Sequence, residues 1–321
     1  METINVANQF NPGRTVEIAA KINTVGQLLL TGEGSSRIFP AKNVIRKAKS
    51  RGTGLNIITE GSCQAALYDL SEFAVFCASN SGKTKEVISL INKLVEQGNT
   101  NVFGLTANRG TVLEKICSET FVLNCGWEKA VAATKSVVEQ ALFYESILWN
   151  INGSENFIKS AELSSKIEYS LTMPIEESII DDAVNAPVIY FAGFNDGVAE
   201  ELTLKTNEIT RKKSDFLEGT YAVHGIEEVL DKKDIVFLID PIDDEIEKFQ
   251  SVLIEGVGLK VVAISSKQTP FTTIIVPDAG EMAPYVFLCA GWNLLVETGL
   301  AAGINIDKPK RARKVGNEFV F

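Results

Sequence analysis

The chain has 321 residues, of which 45% are hydrophobic and 22% charged, and a formal net charge of −10 at pH 7. This composition is typical of a folded protein long enough for two domains, and it excludes a disordered chain. The acidic balance argues against a whole-surface attraction to nucleic acid, so an anionic ligand would need a locally arranged site. No apolar run approaches the roughly 20 residues of a membrane span, and the first residues lack a signal-peptide pattern. We therefore expect a cytoplasmic protein without a membrane partner.

The cysteines are odd in number and scattered, with no C-x-x-C pair; they are Cys63, Cys77, Cys117, Cys125 and Cys289. Several lie in apolar runs, where a cysteine acts as a small hydrophobe. This distribution favours a reducing compartment over a disulfide framework and leaves no zinc cluster. We expect no metal site.

The first clear element is an apolar strand that runs into a glycine turn, QLLLTGEGSS at residues 27–36. The turn is similar to the dinucleotide fingerprint G-x-G-x-x-G, but Arg37 stands in place of the third glycine. The acidic residue expected about 20 positions later, at the end of a strand, is also missing. We therefore predict no nicotinamide or flavin cofactor, and no other cofactor.

The next element is FAVFCASNSGKTKEVISLINKL at residues 73–94, which predicts a strand, a polar turn and an amphipathic helix. Its Gly-Lys-Thr ending matches a nucleotide P-loop, but Cys77 stands where that motif requires a glycine, so the nucleotidase interpretation fails. A helix N-terminus presents unpaired N–H groups that suit an anion. On the residues alone, SNSGKT (79–84) fits an anion site and an ordinary polar turn equally well.

The two halves of the chain repeat each other. Gly193 stands in the second half where Gly32 stands in the first, VFLID stands where VFCAS does, and VVAISSK stands where VFGLTAN does. The three pairs keep a nearly constant offset along the chain. Each strand precedes a helix or turn, a pattern typical of β-α-β units and parallel sheets. We predict two α/β domains, each a doubly wound parallel sheet, at residues 1–156 and 157–306, followed by a tail at 307–321.

The two copies differ in the loop that follows their equivalent strands. Where the first copy has SNSGKT, the second has IDPIDDE (239–245), which carries four acidic residues. Acidic residues stabilise a helix start but repel phosphate. We predict that only the first copy binds a phosphate.

The second copy carries a charged helical segment, AEELTLKTNEITRKK (199–213). Its Glu201, Lys205, Glu208 and Lys212 follow at spacings of 4, 3 and 4. That spacing predicts one helix face, which fits either solvated ion pairs or a site. His224, the one histidine of the chain, follows in a loop rich in glycine and glutamate. A lone histidine is more often structural, although its charge can change near neutral pH.

The tail segment KPKRARK (308–314) contains five basic residues out of seven. Such a cluster is also typical of nucleic-acid patches. It is a single short cluster on an acidic chain, with no aromatic stacking platform nearby. We predict no nucleic-acid partner.

Five stretches in this order resemble the sugar isomerase (SIS) domain family, and within it the isomerase domain of glutamine–fructose-6-phosphate aminotransferases (glucosamine-6-phosphate synthases). GEGSS resembles the family's glycine turn, SNSGKT its Ser-Gln-Ser-Gly-Glu-Thr phosphate loop, and WEKAVAATKSVVEQ its Glu-x-x-Val-Ala-Ser-Thr-Lys stretch. EELTLKTNEITRKKSDFLEGTYAVHG resembles its helix and loop, with the same 16-residue gap between Glu208 and His224, and KPKRARKV resembles its Pro-x-x-x-x-Lys tail. The resemblance covers essentially the whole chain. It implies two flavodoxin-like SIS domains in tandem, without the synthases' glutaminase domain.

The resemblance also implies a set of substrate-binding residues: Gly34, Ser35, Ser36, Ser79, Asn80, Ser81, Thr84, Val131 and Ala133. Three positions depart from the family pattern, because Asn80, Lys83 and Ala133 replace its Gln, Glu and Ser. The missing hydroxyl at Ala133 removes a donor. That loss bears on the identity of the substrate more than on the type of reaction.

The catalytic roles implied by the resemblance fall on the second copy and the tail. Glu208 would move a proton between C1 and C2 of the sugar, Lys205 would handle the proton of the neighbouring oxygen, and Glu201 would hold Lys205. A carboxylate can do this when a charged partner stabilises the intermediate. His224 would open the sugar ring and reach across a dimer interface. Lys314, in a tail folded over the active site, would form an imine with the open-chain sugar, which requires a neutral amine.

The function that the resemblance implies is an aldose–ketose isomerase/deaminase. It would convert an amino-sugar phosphate such as glucosamine-6-phosphate into a ketose phosphate and ammonia. Two alternatives stay open: a deglycase acting on an amino-acid-linked sugar phosphate, and a non-catalytic sugar-phosphate sensor. We expect a homodimer whose active site is shared across the interface.

Overall fold

The computed structural model describes residues 1–153, 160–314 and 316–319, and it divides into two compact units. The first unit contains Met1–Ala161 and Arg311–Phe321, and the second contains Glu162–Lys310. The predicted limit between residues 156 and 157 lies outside the described residues. The predicted domain limits therefore stay a prediction.

The first unit is a parallel sheet covered by helices. Its strands are β1 (Gln27–Thr31), β2 (Asn56–Glu60), β3 (Ala74–Ala78), β4 (Val102–Thr106) and β5 (Glu119–Val122). Its helices are α1 (Glu2–Gln9), α2 (Val16–Val25), α3 (Ile38–Ser50), α4 (Ser62–Ala65), α5 (Lys85–Glu96), α6 (Leu113–Ile116) and α7 (Lys135–Asn152). The strands lie in the order β2-β1-β3-β4-β5, so the chain changes direction across the sheet between β1 and β3. In this flavodoxin-like order, ligands bind beyond the carboxyl ends of the two strands at that switch point.

Burial explains why these segments form a sheet. Every residue of β3 is buried, as in a central parallel strand covered on both faces. α5 packs one apolar face, which includes Val87, Ile88 and Ile91, into the same core. α7 is buried from Lys135 to Trp149, and its charged side chains therefore need partners.

The second unit repeats this architecture. Its strands are β6 (Val188–Gly193), β7 (Lys213–Glu218), β8 (Ile235–Ile239), β9 (Lys260–Ser265) and β10 (Thr272–Ile275). Its helices are α8 (Ser160–Thr172), α9 (Glu177–Asn185), α10 (Val198–Lys205), α11 (Ile246–Phe249) and α12 (Ala283–Ala301), with π-helical turns at Thr206–Thr210 and Gln250–Val257. The order β10-β9-β8-β6-β7 is the order of the first sheet, with the switch point between β6 and β8.

The two doubly wound sheets confirm the predicted fold class. β6 follows β1 and β8 follows β3 at the same offset along the chain, as the sequence repeat predicts. The strands recognised from sequence are the interior ones of each sheet. The edge strands β2, β5, β7 and β10 were missed. β2, β5 and β7 each include charged side chains, and β10 has only four residues, so none of the four gives a long apolar run.

The segment AEELTLKTNEITRKK departs from the predicted single helix. α10 ends at Lys205, a π-helical turn follows to Thr210, and Arg211 has a left-handed backbone with φ 58°. The chain then enters β7 rather than a loop. β7 alternates between exposed and more buried residues along its charged sequence KSDFLE, as expected at a sheet edge. None of the helices in the described part of the chain is both long and apolar enough to cross a membrane.

Candidate functional site

The three hydroxyl groups of the SNSGKT loop lie together beyond the carboxyl end of β3. Ser79 Oγ is 2.8 Å from Thr84 Oγ1 and 3.5 Å from Ser81 Oγ. The backbone N–H of Thr84 donates to Ser79 Oγ at 3.4 Å, and Thr84 is the residue immediately before α5. The cluster therefore combines short hydroxyl donors, a helix N-terminus and a topological switch point, which together suit a phosphate group. Lys83, in the same loop, is exposed.

The turn of this loop depends on Gly82. Its backbone has φ +65°, and a Cβ placed there would lie 2.3 Å from the Cβ of Thr111. Its N–H donates to the Ser79 carbonyl at 2.9 Å and closes the turn. A side chain at this position would meet both backbone strain and a steric clash, so the hydroxyl cluster requires glycine.

Asn80 points its amide toward α7. Its Nδ2 donates to Ser136 Oγ at 2.8 Å, and the backbone carbonyl of Asn80 accepts from Asn108 Nδ2 at 2.6 Å. Ser136 in turn donates to Glu128. The side chain of Asn80 thus anchors the loop to the start of α7, and its predicted contact with a substrate stays a prediction.

Glu128 holds the segment that contains Val131 and Ala133. One carboxylate oxygen accepts the backbone N–H groups of Thr134 at 2.8 Å and Lys135 at 3.0 Å, at the first turn of α7. A carboxylate at a helix N-terminus is stabilised by the helix dipole. Ala133 is buried, whereas Val131 is partly exposed and its carbonyl accepts from Lys314 Nζ at 3.4 Å.

The glycine turn after β1 lies against the end of β3. A Cβ at Gly32 would come within 2.9 Å of the Ala78 carbonyl oxygen, so the two loops meet at the switch point. Gly34 adopts φ +54°, and the predicted ligands Gly34, Ser35 and Ser36 form one 3₁₀ turn. The Ser36 carbonyl accepts from the buried side chain of Gln140 on α7.

The tail of the chain pairs with the C-terminal end of the SNSGKT loop. Thr84 and Glu318 form an antiparallel bridge, the N–H of Phe319 donates to the Lys83 carbonyl at 2.9 Å, and that of Lys85 donates to the Asn317 carbonyl at 3.1 Å. The side chain of Phe319 packs against the core of the first unit. The tail and the predicted phosphate loop are therefore one hydrogen-bonded structure.

In the second unit, α10 and the π-helical turn bring Glu201, Lys205 and Glu208 together. Lys205 Nζ lies 3.2 Å from Glu201 Oε1 and 2.7 Å from Glu208 Oε2. The side chains of Glu201 and Lys205 are 0% exposed, whereas that of Glu208 is 20% exposed. Burial by itself lowers the pKa of Lys205, but attraction from both carboxylates outweighs it, and the net shift is upward. Lys205 is therefore a buried ammonium ion next to an accessible carboxylate.

The prediction that Lys212 shares one helix face with Glu201, Lys205 and Glu208 was wrong. Lys212 follows the left-handed residue Arg211, and its Nζ donates to the Ala186 carbonyl at 2.7 Å. Burial lowers its pKa. The solvated-face alternative is also wrong, because Glu201 and Lys205 are buried. π-helical turns are common at functional sites, and this one ends the regular helix at the cluster.

His224 lies in the loop after β7, directly after a 3₁₀ turn. The residue is exposed, and its backbone N–H donates to the Tyr221 carbonyl at 3.1 Å. An exposed imidazole can contact a substrate or another protein chain. Its catalytic role stays a prediction.

The loop after β8 in the second unit is acidic, in contrast to its counterpart in the first. Asp240 has a left-handed backbone with φ 48°, and Asp243 pairs with Lys267 at 2.5 Å. Hydrogen bonding to that carboxylate raises the pKa of Lys267. Within the described residues, no group of three histidine, cysteine or acidic side chains is arranged to hold a metal ion.

Sequence reasoning missed three residues that organise the site: Glu128, Ser136 and Asn108. Glu128 is the second residue of the WEKAVAATK stretch, which is one of the five that resemble the family, so the sequence did contain a signal for it. Ser136 and Asn108 act through hydrogen bonds to Asn80, from 56 and 28 residues away along the chain. No local pattern points to those contacts.

No protein-family model matches the chain. The chain is 21% identical over 258 residues to the glutamine–fructose-6-phosphate aminotransferase (isomerizing) of Aliivibrio fischeri, which covers 74% of this chain. It spans only 42% of the length of that relative.

Solved structures share the fold over nearly the whole chain. The glucosamine-6-phosphate deaminase of Thermotoga maritima is 18% identical with a TM-score of 0.74, covering 98% of this chain and 99% of that one. The C-terminal domain of the glucosamine-fructose-6-phosphate aminotransferase of Francisella tularensis is 18% identical with a TM-score of 0.77, covering 96% and 94%. The two parallel sheets with flanking helices thus form the fold found in these phosphosugar enzymes.

Proposed function

We propose that this protein is an aldose–ketose isomerase/deaminase that converts an amino-sugar phosphate such as glucosamine-6-phosphate into a ketose phosphate and ammonia. The observation that carries the proposal is the ion cluster of the buried Glu201 and Lys205 with the partly exposed Glu208. Two carboxylates and one ammonium leave a formal charge of −1 in a place where apolar side chains would be at least as stable. Such a cluster is better explained by chemistry than by stability.

The cluster has the parts that a proton transfer next to a carbonyl requires. Glu208 is the accessible carboxylate, and the Lys205 ammonium 2.7 Å away can stabilise charge that develops on the neighbouring oxygen. Glu201, fully buried, keeps Lys205 protonated and oriented. These are the roles that the resemblance implies for the same three residues.

In the proposed reaction, His224 opens the sugar ring. Glu208 then removes the proton at C2 and returns it to C1. Lys205 donates a proton to the C1 oxygen, and the C2 amine gives up one N–H proton to restore the Lys205 ammonium. The C1 aldehyde thus becomes a hydroxyl and the C2 amine becomes a ketimine. The Lys314 amine attacks C2 and ammonia leaves. Water hydrolyses the resulting lysine imine to the ketose phosphate and restores the free amine. One water is consumed and one ammonia released for each sugar.

The phosphate would bind to the hydroxyl groups of Ser79, Ser81 and Thr84. Their separations of 2.8 and 3.5 Å and their position before α5 support this assignment. The fold shared with the T. maritima deaminase over 98% of the chain also supports a phosphosugar substrate. We further propose a homodimer in which His224 of one subunit contributes to the active site of the other.

The test is to incubate the purified protein with glucosamine-6-phosphate and to follow ammonia and fructose-6-phosphate together. Equal release of both is expected. Release of an amino acid from an N-linked sugar phosphate instead would favour the deglycase. A raised melting temperature without turnover of any sugar phosphate would favour the sensor.

The imine step has a separate test. Borohydride added with the substrate should reduce the imine and label Lys314 covalently. Lys314→Ala should lose both the label and deamination, whereas Lys310→Ala, a nearby tail lysine, should keep both. Full deaminase activity in Lys314→Ala would contradict the imine mechanism.

A further inference from the structure

A small open cleft of about 160 Å³ in the first unit lies outside the predicted site. One wall is a face of α1, the second is the segment after β5, and the third is the first turn of α7. The residues that line it are different from those predicted to bind the sugar phosphate.

The positive charge in this cleft belongs to Lys135. Its side chain is 7% exposed, and its ammonium lies 3.3 Å from Glu2 Oε2. Charge-assisted N–H···O bonds are usually about 2.7–2.9 Å long, so this pair is loose. The Glu2 side chain is 76% exposed, and holding it at Lys135 restrains a side chain that water would otherwise solvate.

Glu139, the other carboxylate that lines the cleft, is already engaged. It accepts the backbone N–H groups of Asn124 at 2.8 Å and Cys125 at 2.7 Å, and it pairs with Arg14 at 3.3 Å. It is one turn along α7 from Lys135 and buried. The counterion that can leave Lys135 at little cost is therefore Glu2.

We propose that this cleft binds a small organic carboxylate, whose negative group replaces Glu2 at the Lys135 ammonium. A buried ammonium is stabilised by a close anion, and a free carboxylate can approach it without the constraints of the Glu2 side chain. The side-chain amides of Asn5, Gln9 and Asn124 line the cleft and offer hydrogen bonds. Val6 and Phe10 supply an apolar surface for a short hydrocarbon part.

If Glu2 competes with the ligand for the Lys135 ammonium, removing the charge of Glu2 should strengthen binding. Glu2→Gln removes the competing anion but keeps the shape of the side chain, so carboxylate binding should tighten several-fold. Lys135→Met should abolish binding. Glu17→Gln, which neutralises an exposed carboxylate on α2, should leave binding unchanged and controls for net charge.

The probe is butyrate, with butylammonium as a cation of similar size. Calorimetric titration of the full chain in low-chloride buffer should give a butyrate Kd of about 1 mM, a range accessible to a small ligand with one good ionic contact. Butylammonium should not bind. NMR shifts of the Val6 methyl groups on adding butyrate would locate the ligand.

Three results would overturn the proposal: equal binding of butyrate and butylammonium, unchanged or weaker butyrate binding in Glu2→Gln, or butyrate binding that survives Lys135→Met. If Lys135→Met does not fold, the Glu2→Gln comparison decides by itself, because Glu2 is exposed. None of these readouts involves sugar-phosphate turnover. The outcome is therefore separate from that of the proposed function.

Discussion

At Lys205, two carboxylates offset the cost of burying an ammonium ion. The upward shift of its pKa from the ordinary value of 10.5 has a definite consequence for stability. A group whose pKa is raised on folding contributes its full stabilisation below the unfolded value and loses it as the pH rises through the folded value. Lys205 therefore contributes a constant amount at neutral pH and stops contributing only in strong alkali.

Substitutions of Glu208 and of Lys205, made separately, should distinguish the effect of the cluster on catalysis from its effect on stability. Glu208→Gln should lower kcat about 100-fold or more, because it removes the proposed base, while the free energy of unfolding falls less than in Lys205→Met, since Glu201 still pairs with Lys205. Lys205→Met should instead lower the free energy of unfolding by about 3 kcal/mol, because Glu201 stays buried without its ion pair. Steady-state kinetics and urea denaturation measure the two effects. Glu255→Gln, an exposed carboxylate, should alter neither.

Thiol chemistry should distinguish the exposed Cys63 from the four less accessible cysteines. Burial raises the pKa of Cys117 to about 12 and that of Cys77 and Cys289 in the same direction. The thiolate is the reactive form, so these thiols should stay unreactive until the pH approaches the raised values. A maleimide at pH 7.5 should label the exposed Cys63 in the native protein, and all five cysteines in urea. Rapid native labelling of Cys117 would contradict this packing.

At the scale of elements, the conformation of the SNSGKT loop depends on one glycine turn and on contacts with two other segments. Gly82 turns it, Asn80 joins it to α7 through Ser136, and its end pairs with the tail near Glu318. The hydroxyl cluster is thus built by the loop but positioned by α7 and the tail. A change in any of these supports should reach the predicted phosphate site.

Gly82→Ala tests the turn. It should cost about 1–2 kcal/mol for the left-handed backbone and more for the clash with Thr111, and it should weaken sugar-phosphate binding. Gly98→Ala, at the other end of α5, has φ +84° but open space around the new methyl, so it should show the backbone cost alone. Thermal denaturation and phosphosugar titration of both variants give the comparison. Equal losses of stability would mean that Thr111 moves aside.

At the scale of the whole molecule, the proposed homodimer makes a prediction about mixed subunits. Suppose His224 serves the site of the other subunit. A heterodimer of His224→Ala and Glu208→Gln then contains one intact site and one with both defects. Mixing the two inactive variants under exchange conditions should restore about a quarter of wild-type activity, because half of the dimers are mixed and each has one working site.

The control for this mixing experiment is each variant exchanged with itself, which should stay inactive. Sedimentation equilibrium should show a dimer for both variants. No recovery on mixing, with dimers present, would mean that His224 acts within its own subunit or is not catalytic.

The sequence by itself determined the doubly wound repeat, the interior strands and the SNSGKT loop. Buried parallel strands appear in the sequence as continuous apolar runs, and the loop is a local motif. The spacing of Glu201, Lys205 and Glu208 also marked the ion cluster in advance, because residues three and four apart share a helix face.

Only the tertiary structure decided that the regular helix ends at Lys205, that Lys212 turns away to Ala186, and that Glu128 and Ser136 hold Asn80. It also decided that the tail pairs with the SNSGKT loop and that the edge strands join the sheets. The physical reason is the same in each case. These features are set by hydrogen bonds and burial between segments far apart in the chain, which leave no periodic pattern in either segment alone.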